Sequence, residues 1–459
     1  MESKHFLLIS LAAQSHINPT LQLAKILVRH GAKVTFATTS SGLSRLNNLP
    51  TLPGLSYASF SDNKSQDPTK KVDADNYFIT LRRVGPQNVT ELLHQLSDDG
   101  SPVTFIVYTV LLPWVAEVAR EMDIPSAFLF IQCAIAFTIF HRFFNSHDGL
   151  HADNDDFGLD ASIKLPKLSL FTSHDIPSFL VPGNDMHASL APLFREHIQT
   201  LEKDPNPCVL INTFDALEND FIHSFPSSIK FFPIGPLLPS AISDKHDSND
   251  KSFGGHMFQS PKQDYLSWLD SKPDRSVIYV SFGSLVVLKE TQKEEILQGL
   301  KETGRPFLWV IREIKDEELS CVREKSCISE EMAMIVPWCS QVEVLSHRAT
   351  GCFVTHCGWN STLESITSGV PMVGCPSFSE QKTNVKIIDE LWRNGVRVKE
   401  NEQGAFVREE IRRCVDIVMG EEEQGNEIKG NANKWKSLAI EALKEGGSSH
   451  NNLLDFLQM

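Results

Sequence analysis

Residues 352–371 read CFVTHCGWNSTLESITSGVP, a run that joins a strand, a turn and a helix. The apolar residues 352–356 predict a buried strand, and the helix is expected to reach about Ser368, where Gly369 and Pro371 end it. The turn between them therefore presents free backbone N–H groups at a helix N-terminus, where the helix dipole favours an anion.

Side chains of this turn add hydrogen-bond donors at His356, Asn360 and Ser361. Together with the helix N-terminus they predict a diphosphate site that uses neither lysine nor arginine. A structural alternative stays open for this segment taken alone. Ser361 and Glu364 also match the S-x-x-E capping box, in which Glu364 bonds back to the helix cap.

The alternation of strand and helix extends along the chain. HFLLISL (5–11) predicts a strand buried on both faces, and KVTFATT (33–39) predicts the next one. Between them a helix is expected with Asn18 as its N-cap and Pro19 as its first residue. HFLLISL also imitates a weak signal peptide, but the turn and amphipathic helix behind it favour the strand. Further strands are expected at 104–110, 126–131, 276–281, 307–311 and 371–375.

A chain of 459 residues is too long for one hydrophobic core, so two domains of roughly 200 residues are expected. Residues 237–262 are rich in Ser, Asp, Lys, Gly and Pro and are interpreted as the interdomain linker. The alternation in both halves predicts an α/β protein with two facing, Rossmann-like domains built on mainly parallel sheets. Ligands of such sheets bind beyond the carboxyl ends of the strands, which favours the cleft between the domains.

Charge and cysteine content narrow the function further. The net charge of −15 argues against nucleic acid and against membrane insertion. No apolar run reaches the roughly 18 residues that a membrane-spanning helix needs. The nine cysteines include no C-x-x-C pair, which argues against zinc and predicts free thiols in a reducing compartment, the cytoplasm. A monomer is expected.

Other polar residues near the first stretch indicate a nucleotide sugar. Trp338 precedes a short helix and suits stacking on a base, and Gln341 suits a base edge or a ribose. Glu380 and Gln381 follow a strand end and suit sugar hydroxyls. No G-x-G-x-x-G follows a strand and no phosphate-binding G-x-x-x-x-G-K-[ST] occurs, which disfavours dinucleotide and ordinary NTPase chemistry.

Residues 338–381, WCSQVEVLSHRATGCFVTHCGWNSTLESITSGVPMVGCPSFSEQ, closely resemble the signature box of plant UDP-dependent glycosyltransferases of small molecules. The resemblance extends to QSHINP (14–19), VSFGS (280–284) and EGGSSHNNL (445–453), and so spans the chain. IVYTVLLPW (106–114) and IPSFLVP resemble the subgroup that holds anthocyanin 5-O-glucosyltransferases and glucose-ester-forming enzymes.

The resemblance implies a GT-B fold. Residues 1–236 would bind the acceptor, residues 263–443 would bind UDP-sugar, and a last helix at about 444–459 would return to the first domain. A final Gln381 in the box implies glucose as the sugar. The implied donor-binding roles are uracil for Trp338 and the Cys339 backbone, ribose for Gln341 and Glu364, diphosphate for Ser284, His356, Asn360 and Ser361, and sugar hydroxyls for Trp359, Glu380 and Gln381.

His16 is implied to be the catalytic base. A lone histidine beside an Asn-Pro pair is usually structural, but in the family it takes the acceptor proton, and the acceptor inverts C1 of the sugar. Metal is not expected, because the helix N-terminus at Asn360 would stabilise the leaving UDP. Asp153-Asn154-Asp155 matches the D-x-D motif of metal-dependent transferases but stands in a polar loop.

The sequence departs from the family at Thr109, where most members carry an aspartate that orients and charges the histidine. His16 is therefore expected to be a weak base that favours phenols or aromatic carboxylic acids over alkyl alcohols.

Two alternatives remain: a non-catalytic nucleotide-sugar-binding protein, motivated by Thr109, and a GT-B epimerase or phosphorylase, for which a basic phosphate cluster is missing. One or two rings of the aromatic segment are expected to face the acceptor, from Phe128, Phe130, Phe137, Phe140, Phe143 and Phe144.

Overall fold

The structure is a computed structural model of the whole chain. It describes residues 4–62, 74–145, 163–165, 167–181, 189–223, 225, 228–243, 247, 250–257, 264–312 and 329–459. The D-x-D match at Asp153-Asn154-Asp155 lies outside these ranges, as does part of the linker.

The first sheet holds seven parallel strands in the order β3-β2-β1-β4-β5-β6-β7. Its central strands are continuous apolar runs, and every residue of β1 and of β4 is buried, as expected of a sheet covered by helices on both faces. The strands are β1 (His5–Ile9), β2 (Lys33–Thr39), β3 (Leu55–Phe60), β4 (Phe105–Thr109), β5 (Ser126–Phe130), β6 (Cys208–Ile211) and β7 (Lys230–Pro233).

Helices connect these strands as crossovers. Those of the first half are α1 (Gln14–Arg29), α2 (Ser40–Leu43), α3 (Ala74–Asp98), α4 (Trp114–Glu121), α5 (Ala134–Phe144), α6 (Leu190–Lys203) and α7 (Asp215–Ile222), with a 3₁₀ turn at Ser178–Leu180.

The second sheet holds six parallel strands in the order β10-β9-β8-β11-β12-β13. They are β8 (Val277–Ser281), β9 (Phe307–Val310), β10 (Ala333–Val336), β11 (Thr350–Thr355), β12 (Met372–Gly374) and β13 (Gly395–Arg397). The helices are α8 (Tyr265–Asp270), α9 (Glu290–Glu302), α10 (Gln341–Ser346), α11 (Trp359–Ser368), α12 (Gln381–Lys386), α13 (Arg408–Met419), α14 (Glu423–Leu443) and α15 (Ser448–Gln458), with a π-helical turn at Ile387–Leu391. The prediction of two mainly parallel sheets is confirmed.

The start of α1 differs from the prediction. The helix begins at Gln14 rather than after Asn18, so Pro19 lies inside it, in the second turn. A proline there removes the N–H that a regular helix would donate to the carbonyl of Ser15. That carbonyl instead accepts a bond of 2.8 Å from Asn360 Nδ2, so a distant residue makes the interior proline tolerable.

The chain returns to the first sheet at its C-terminus. Phe456 of α15 packs against the rings of Phe6 and Phe105, with centroids 5.9 and 5.2 Å away. Ser449 Oγ donates to Gly235 O at 2.6 Å. The described part of the linker is also held, because Asp250 pairs with Lys25 of α1 at 2.7 Å.

Candidate active site

The carboxyl ends of the two sheets face each other across one cleft. β1, β4 and β5 supply one wall, and β8, β11 and β12 supply the other. Every site residue named from the sequence lines this cleft: His16, Ser284, Trp338, Cys339, Gln341, His356, Trp359, Asn360, Ser361, Glu364, Glu380 and Gln381.

Two glycines allow the backbone to approach the His356 ring. Gly283 has φ +71°, and a Cβ at Gly283 or at Gly358 would lie 2.5 Å from Nε2 of His356. Gly358 is also the N-cap of α11, whose first turn has no side-chain cap. The free N–H groups of α11 and the ring of His356 therefore share one small region, as an anion site requires.

His356 stays neutral in this region. Burial lowers its pKa to about 4, and the nearby positive charge of Arg312 adds to the lowering. Nδ1 is buried and has no hydrogen-bond partner among the described residues. A backbone hydrogen bond at Ser281 acts against this lowering of the pKa. A neutral imidazole has one N–H donor, which His356 is able to offer to a ligand oxygen in the tautomer that places it toward the cleft.

Arg312 is a cation in the cleft that the sequence interpretation missed. It follows β9, and its guanidinium donates to Val286 O at 3.0 Å and to Ser284 O. The predicted diphosphate site used neither lysine nor arginine, so it did not include this cation near His356. The only signal in the sequence is a basic residue just after the apolar strand FLWV, at a strand end that faces the cleft.

Gln341, Ser361 and Glu364 form one hydrogen-bonded group. Gln341 Nε2 donates to Ser361 Oγ at 2.8 Å and to the Glu364 carboxylate, and Gln341 Oε1 accepts from the Tyr279 hydroxyl at 3.2 Å. The capping-box alternative is wrong, because Glu364 bonds to Gln341 rather than back to the start of α11. Burial raises the pKa of Glu364 to about 7, although the bond from Gln341 acts in the opposite direction.

The base-stacking candidate Trp338 lines the cleft beside the linker. Its ring meets the ring of His256 edge-on, with centroids 5.3 Å apart. Cys339 is buried next to it, with Sγ 3.5 Å from the Tyr279 hydroxyl. The described linker residues thus form part of the wall of the cleft beside Trp338. An unstructured linker would not line the cleft in this way.

Glu380 and Gln381 also line the cleft, and Glu380 already has a partner on the first domain. Gln132 Nε2, just after β5, donates to Glu380 Oε2 at 2.8 Å, and Ser379 Oγ donates at 2.6 Å. Burial raises the pKa of Glu380. Gln381 Oε1 accepts from the backbone of Ser377 at 2.9 Å, which holds its amide in place.

Trp359 and Asn360 attach the start of α11 to the first domain. The indole N–H of Trp359 donates to Asn212 O at 2.7 Å, so this N–H is not free to bond a sugar. Asn360 Nδ2 donates to Ser15 O at 2.8 Å. Neither bond could be predicted from the sequence, because the partners are far apart in the chain.

His16 is buried and held by Thr109. Nδ1 of His16 lies 3.2 Å from Thr109 Oγ1, which also accepts from the backbone N–H of Leu11 at 3.3 Å. Burial lowers the pKa of His16 to about 3, and among the described residues no carboxylate opposes that lowering. A hydroxyl is able to donate to Nδ1 or to accept from it, so Thr109 does not select one tautomer as a carboxylate does.

The wall beside His16 is mainly apolar. It contains Val110, Leu111 and Ile131, and Leu111 holds a left-handed backbone conformation at φ +68°. The phenylalanines that line the cleft are Phe194, Phe253 and Phe378, of which Phe194 belongs to the first domain. The rings of α5 and its neighbours, which were expected to face the acceptor, are not among the described residues that line the cleft. The following are buried in the hydrophobic core: Phe128, Phe130, Phe137, Phe140 and Phe143.

Comparison with known proteins agrees with this geometry. Residues 252–429 match the family model described as UDP-glucoronosyl and UDP-glucosyl transferase. The chain is 48% identical to phloretin 4'-O-glucosyltransferase of Malus domestica, with 100% of this chain and 98% of the relative covered. The chain belongs to the plant UDP-glycosyltransferases of secondary metabolism.

The predicted subgroup and fold are both confirmed. This UDP-glycosyltransferase is 43% identical to anthocyanidin 3-O-glucoside 5-O-glucosyltransferase of Verbena hybrida, over 100% of this chain and 99% of the relative. The crystal structure of Os79 from O. sativa in complex with UDP superposes with a TM-score of 0.87 at 32% identity, covering 99% of each chain. The GT-B fold follows from that likeness.

The described residues contain neither a membrane-spanning helix nor a metal-binding cluster. No helix there is long and apolar enough to cross a membrane. In the same residues no group of three or more His, Cys, Asp or Glu side chains is placed to hold a metal ion.

Proposed function

We propose that this UDP-glycosyltransferase transfers glucose from UDP-glucose to a phenolic hydroxyl or an aromatic carboxylate, with inversion at C1. The observation that carries the proposal is the pairing of His16 with an uncharged Thr109 opposite the donor-side residues of the cleft. Relatives named for phloretin and anthocyanidin glucosides support a phenolic acceptor.

The donor lies along the second domain, residues 263–443. Trp338 stacks on uracil beside the Cys339 backbone, and Gln341 and Glu364 take the ribose. Ser284, His356, Asn360 and Ser361 surround the diphosphate, where Arg312 adds a positive charge. Glu380, Gln381 and the Trp359 backbone read the glucose hydroxyls. The apolar wall of the first domain, residues 1–236 with α15, takes the acceptor.

The reaction needs one proton transfer and one displacement. His16 takes the acceptor proton at Nε2, the acceptor oxygen forms a bond to C1, and the bond from C1 to the diphosphate oxygen breaks. UDP leaves with the electron pair, and the α11 N-terminus and Arg312 stabilise its charge. These donors supply what a metal ion supplies in metal-dependent transferases, so we propose that no metal takes part.

A transfer assay tests this function. Purified protein is mixed with UDP-glucose and a panel of phenols, flavonoids and aromatic acids, and the products are searched by mass spectrometry for one added hexose. Transfer is the expected result. A panel without product, while UDP-glucose still binds, would favour the non-catalytic nucleotide-sugar-binding protein, which the low basicity of His16 also fits.

We further propose that the protein works as a monomer in the cytoplasm. Seven of its cysteines are free, buried thiols in the described residues, which fits a reducing compartment. Size-exclusion chromatography with light scattering checks the monomer, and imaging of a fluorescent fusion checks the location.

The pH dependence of donor binding follows from Glu364. With a pKa of about 7, its carboxylate is ionised above neutral pH and accepts the ribose hydroxyls; below neutral pH protonation removes one acceptor. The KM for UDP-glucose is therefore expected to rise as the pH falls from about 8 to about 6. Glu364→Gln should raise that KM by about tenfold at the higher pH and remove the dependence on pH.

Initial rates at saturating acceptor measure this effect. The acceptor KM serves as the control, because Glu364 lies on the donor side of the cleft. A donor KM that varies with pH equally in wild type and in Glu364→Gln would assign the titration to another group.

A further inference from the structure

We propose that Asn360 is a positioning residue that ties the catalytic turn of the first domain to the diphosphate site of the second. The proposal rests on the proposed function, in which the α11 N-terminus holds the diphosphate and His16 takes the proton. It gives the Asn360 side chain the task of the tie, while the backbone N–H of Asn360 serves the diphosphate.

The tie is made at an unusual point of α1. Pro19 has no N–H, so the carbonyl of Ser15 lacks the partner that a regular helix supplies four residues later. Asn360 Nδ2 takes that place at 2.8 Å, across the cleft from the other domain. The acceptor carbonyl belongs to the peptide that joins Ser15 to His16, so the bond lies one peptide unit from the base.

A second bond from the neighbouring residue fixes the direction of α11. Trp359 Nε1 donates to Asn212 O at 2.7 Å, at the end of β6, whereas Asn360 donates to α1. Two attachment points on different elements of the first domain restrain both the position and the orientation of the α11 N-terminus. His16 and the diphosphate site are thereby set at one separation before a ligand arrives.

Different groups of Asn360 serve the two tasks. Asn360 has two side-chain N–H groups, and the bond to Ser15 uses one of them. The backbone N–H of Asn360, at the second position of α11, is free of an intrahelical partner. The diphosphate is thus held by backbone groups that any residue provides, while the tie needs the amide of asparagine.

Three variants separate the tie from its alternatives. Asn360→Ala breaks the tie but keeps the backbone N–H groups, so the Kd for UDP by calorimetry should change little, and kcat should fall by about tenfold because the reacting groups are misplaced. Pro19→Ala restores a helical donor to the Ser15 carbonyl. A carbonyl oxygen is able to accept two hydrogen bonds, so the new helical bond does not displace Asn360. Pro19→Ala alone should therefore keep the wild-type kcat, and its Tm should be equal to or higher than that of the wild type.

The double variant Asn360→Ala/Pro19→Ala decides the matter. The double variant satisfies the Ser15 carbonyl within α1 without joining the domains. The Tm that Asn360→Ala loses by leaving this carbonyl unpaired should therefore recover, while kcat stays low. Recovery of kcat as well would show that Asn360 only satisfies a lone carbonyl, and overturn the proposal. A Kd for UDP that rises as much as kcat falls in Asn360→Ala, or a kcat that does not change, would also overturn it.

A readout without turnover keeps the tie testable if the proposed function fails. Wild-type protein that transfers no glucose would refute the function alone. Hydrogen exchange then measures the tie: saturating UDP should slow the exchange of residues 14–18 in wild type and not in Asn360→Ala. Equal protection of these residues in both proteins would overturn the tie.

Discussion

His16→Ala is expected to lower kcat/KM for an alkyl alcohol acceptor by about 10²–10⁴-fold, the usual contribution of a general base. His16 is buried beside the acceptor wall, and Thr109 holds Nδ1, which leaves Nε2 for the acceptor proton. The loss should be smaller for an acidic phenol, because part of that acceptor reaches the cleft already ionised. Raising the pH should therefore rescue the variant with the phenol and not with the alcohol.

Initial rates of wild type and His16→Ala on a matched phenol and alkyl alcohol, across a pH series, measure this effect. The Kd for UDP is the control and should not change, since His16 lies on the acceptor wall. Equal losses for both acceptors at every pH would argue that His16 acts only by shaping the cleft. An unchanged rate on the alcohol would remove His16 from the chemistry altogether.

The grouping of the proposed donor residues along the cleft could be predicted from sequence because all but Ser284 lie in one run. Residues 338–381 carry Trp338, the α11 turn and the Glu380–Gln381 pair, and β–α alternation places strand ends at one edge of a sheet. The family motif could therefore be assigned residue by residue. The glycine at the end of α11 has φ +70°, as the helix-stop prediction requires.

The contacts between domains could not be predicted in that way. Asn360 and Ser15 are 345 residues apart, and Gln132 and Glu380 are 248 apart. A local sequence pattern carries no information about such pairs. The predicted start of α1 was wrong for the same reason, because a proline usually begins a helix unless a distant donor replaces its missing N–H. Arg312 was missed because one basic residue after a strand is common.

The aromatic segment shows a different limit. Helical spacing indicates that α5 has an apolar side, but it does not tell whether that side faces the core or the cleft. Phe137 and Phe140 pack against other rings of the core, including Phe225 and Phe194. Phe194, from α6, is the residue of this cluster that also reaches the cleft.

Thr109→Asp is expected to raise kcat/KM for alkyl alcohols by about tenfold to hundredfold and to change the phenol rate much less. An opposite charge within about 4–6 Å favours the protonated histidine by about 1–3 pKa units. Thr109 Oγ1 lies 3.2 Å from Nδ1, so a carboxylate at this position would raise the pKa of His16 from about 3. It would also accept from Nδ1–H and keep the proton off Nε2, the tautomer that a base needs.

Thr109→Asn is the matched control, because asparagine has nearly the shape of aspartate without its charge. It should leave the alcohol rate low if charge is what the wild type lacks. The acidic limb of the rate profile should also move to higher pH in Thr109→Asp alone, since a more basic His16 is protonated earlier as the pH falls.

The ratio of alcohol rate to phenol rate across these variants then decides between two accounts of Thr109. A ratio that rises only in Thr109→Asp means that the uncharged partner restricts the wild type to acceptors that give up their proton easily. A ratio that is the same in wild type, Thr109→Asp and Thr109→Asn means that the apolar wall selects the acceptor and that the basicity of His16 does not limit the reaction. The second result would withdraw the preference for acidic acceptors while leaving the UDP-glycosyltransferase assignment intact, because that assignment rests on the donor side and on the relatives.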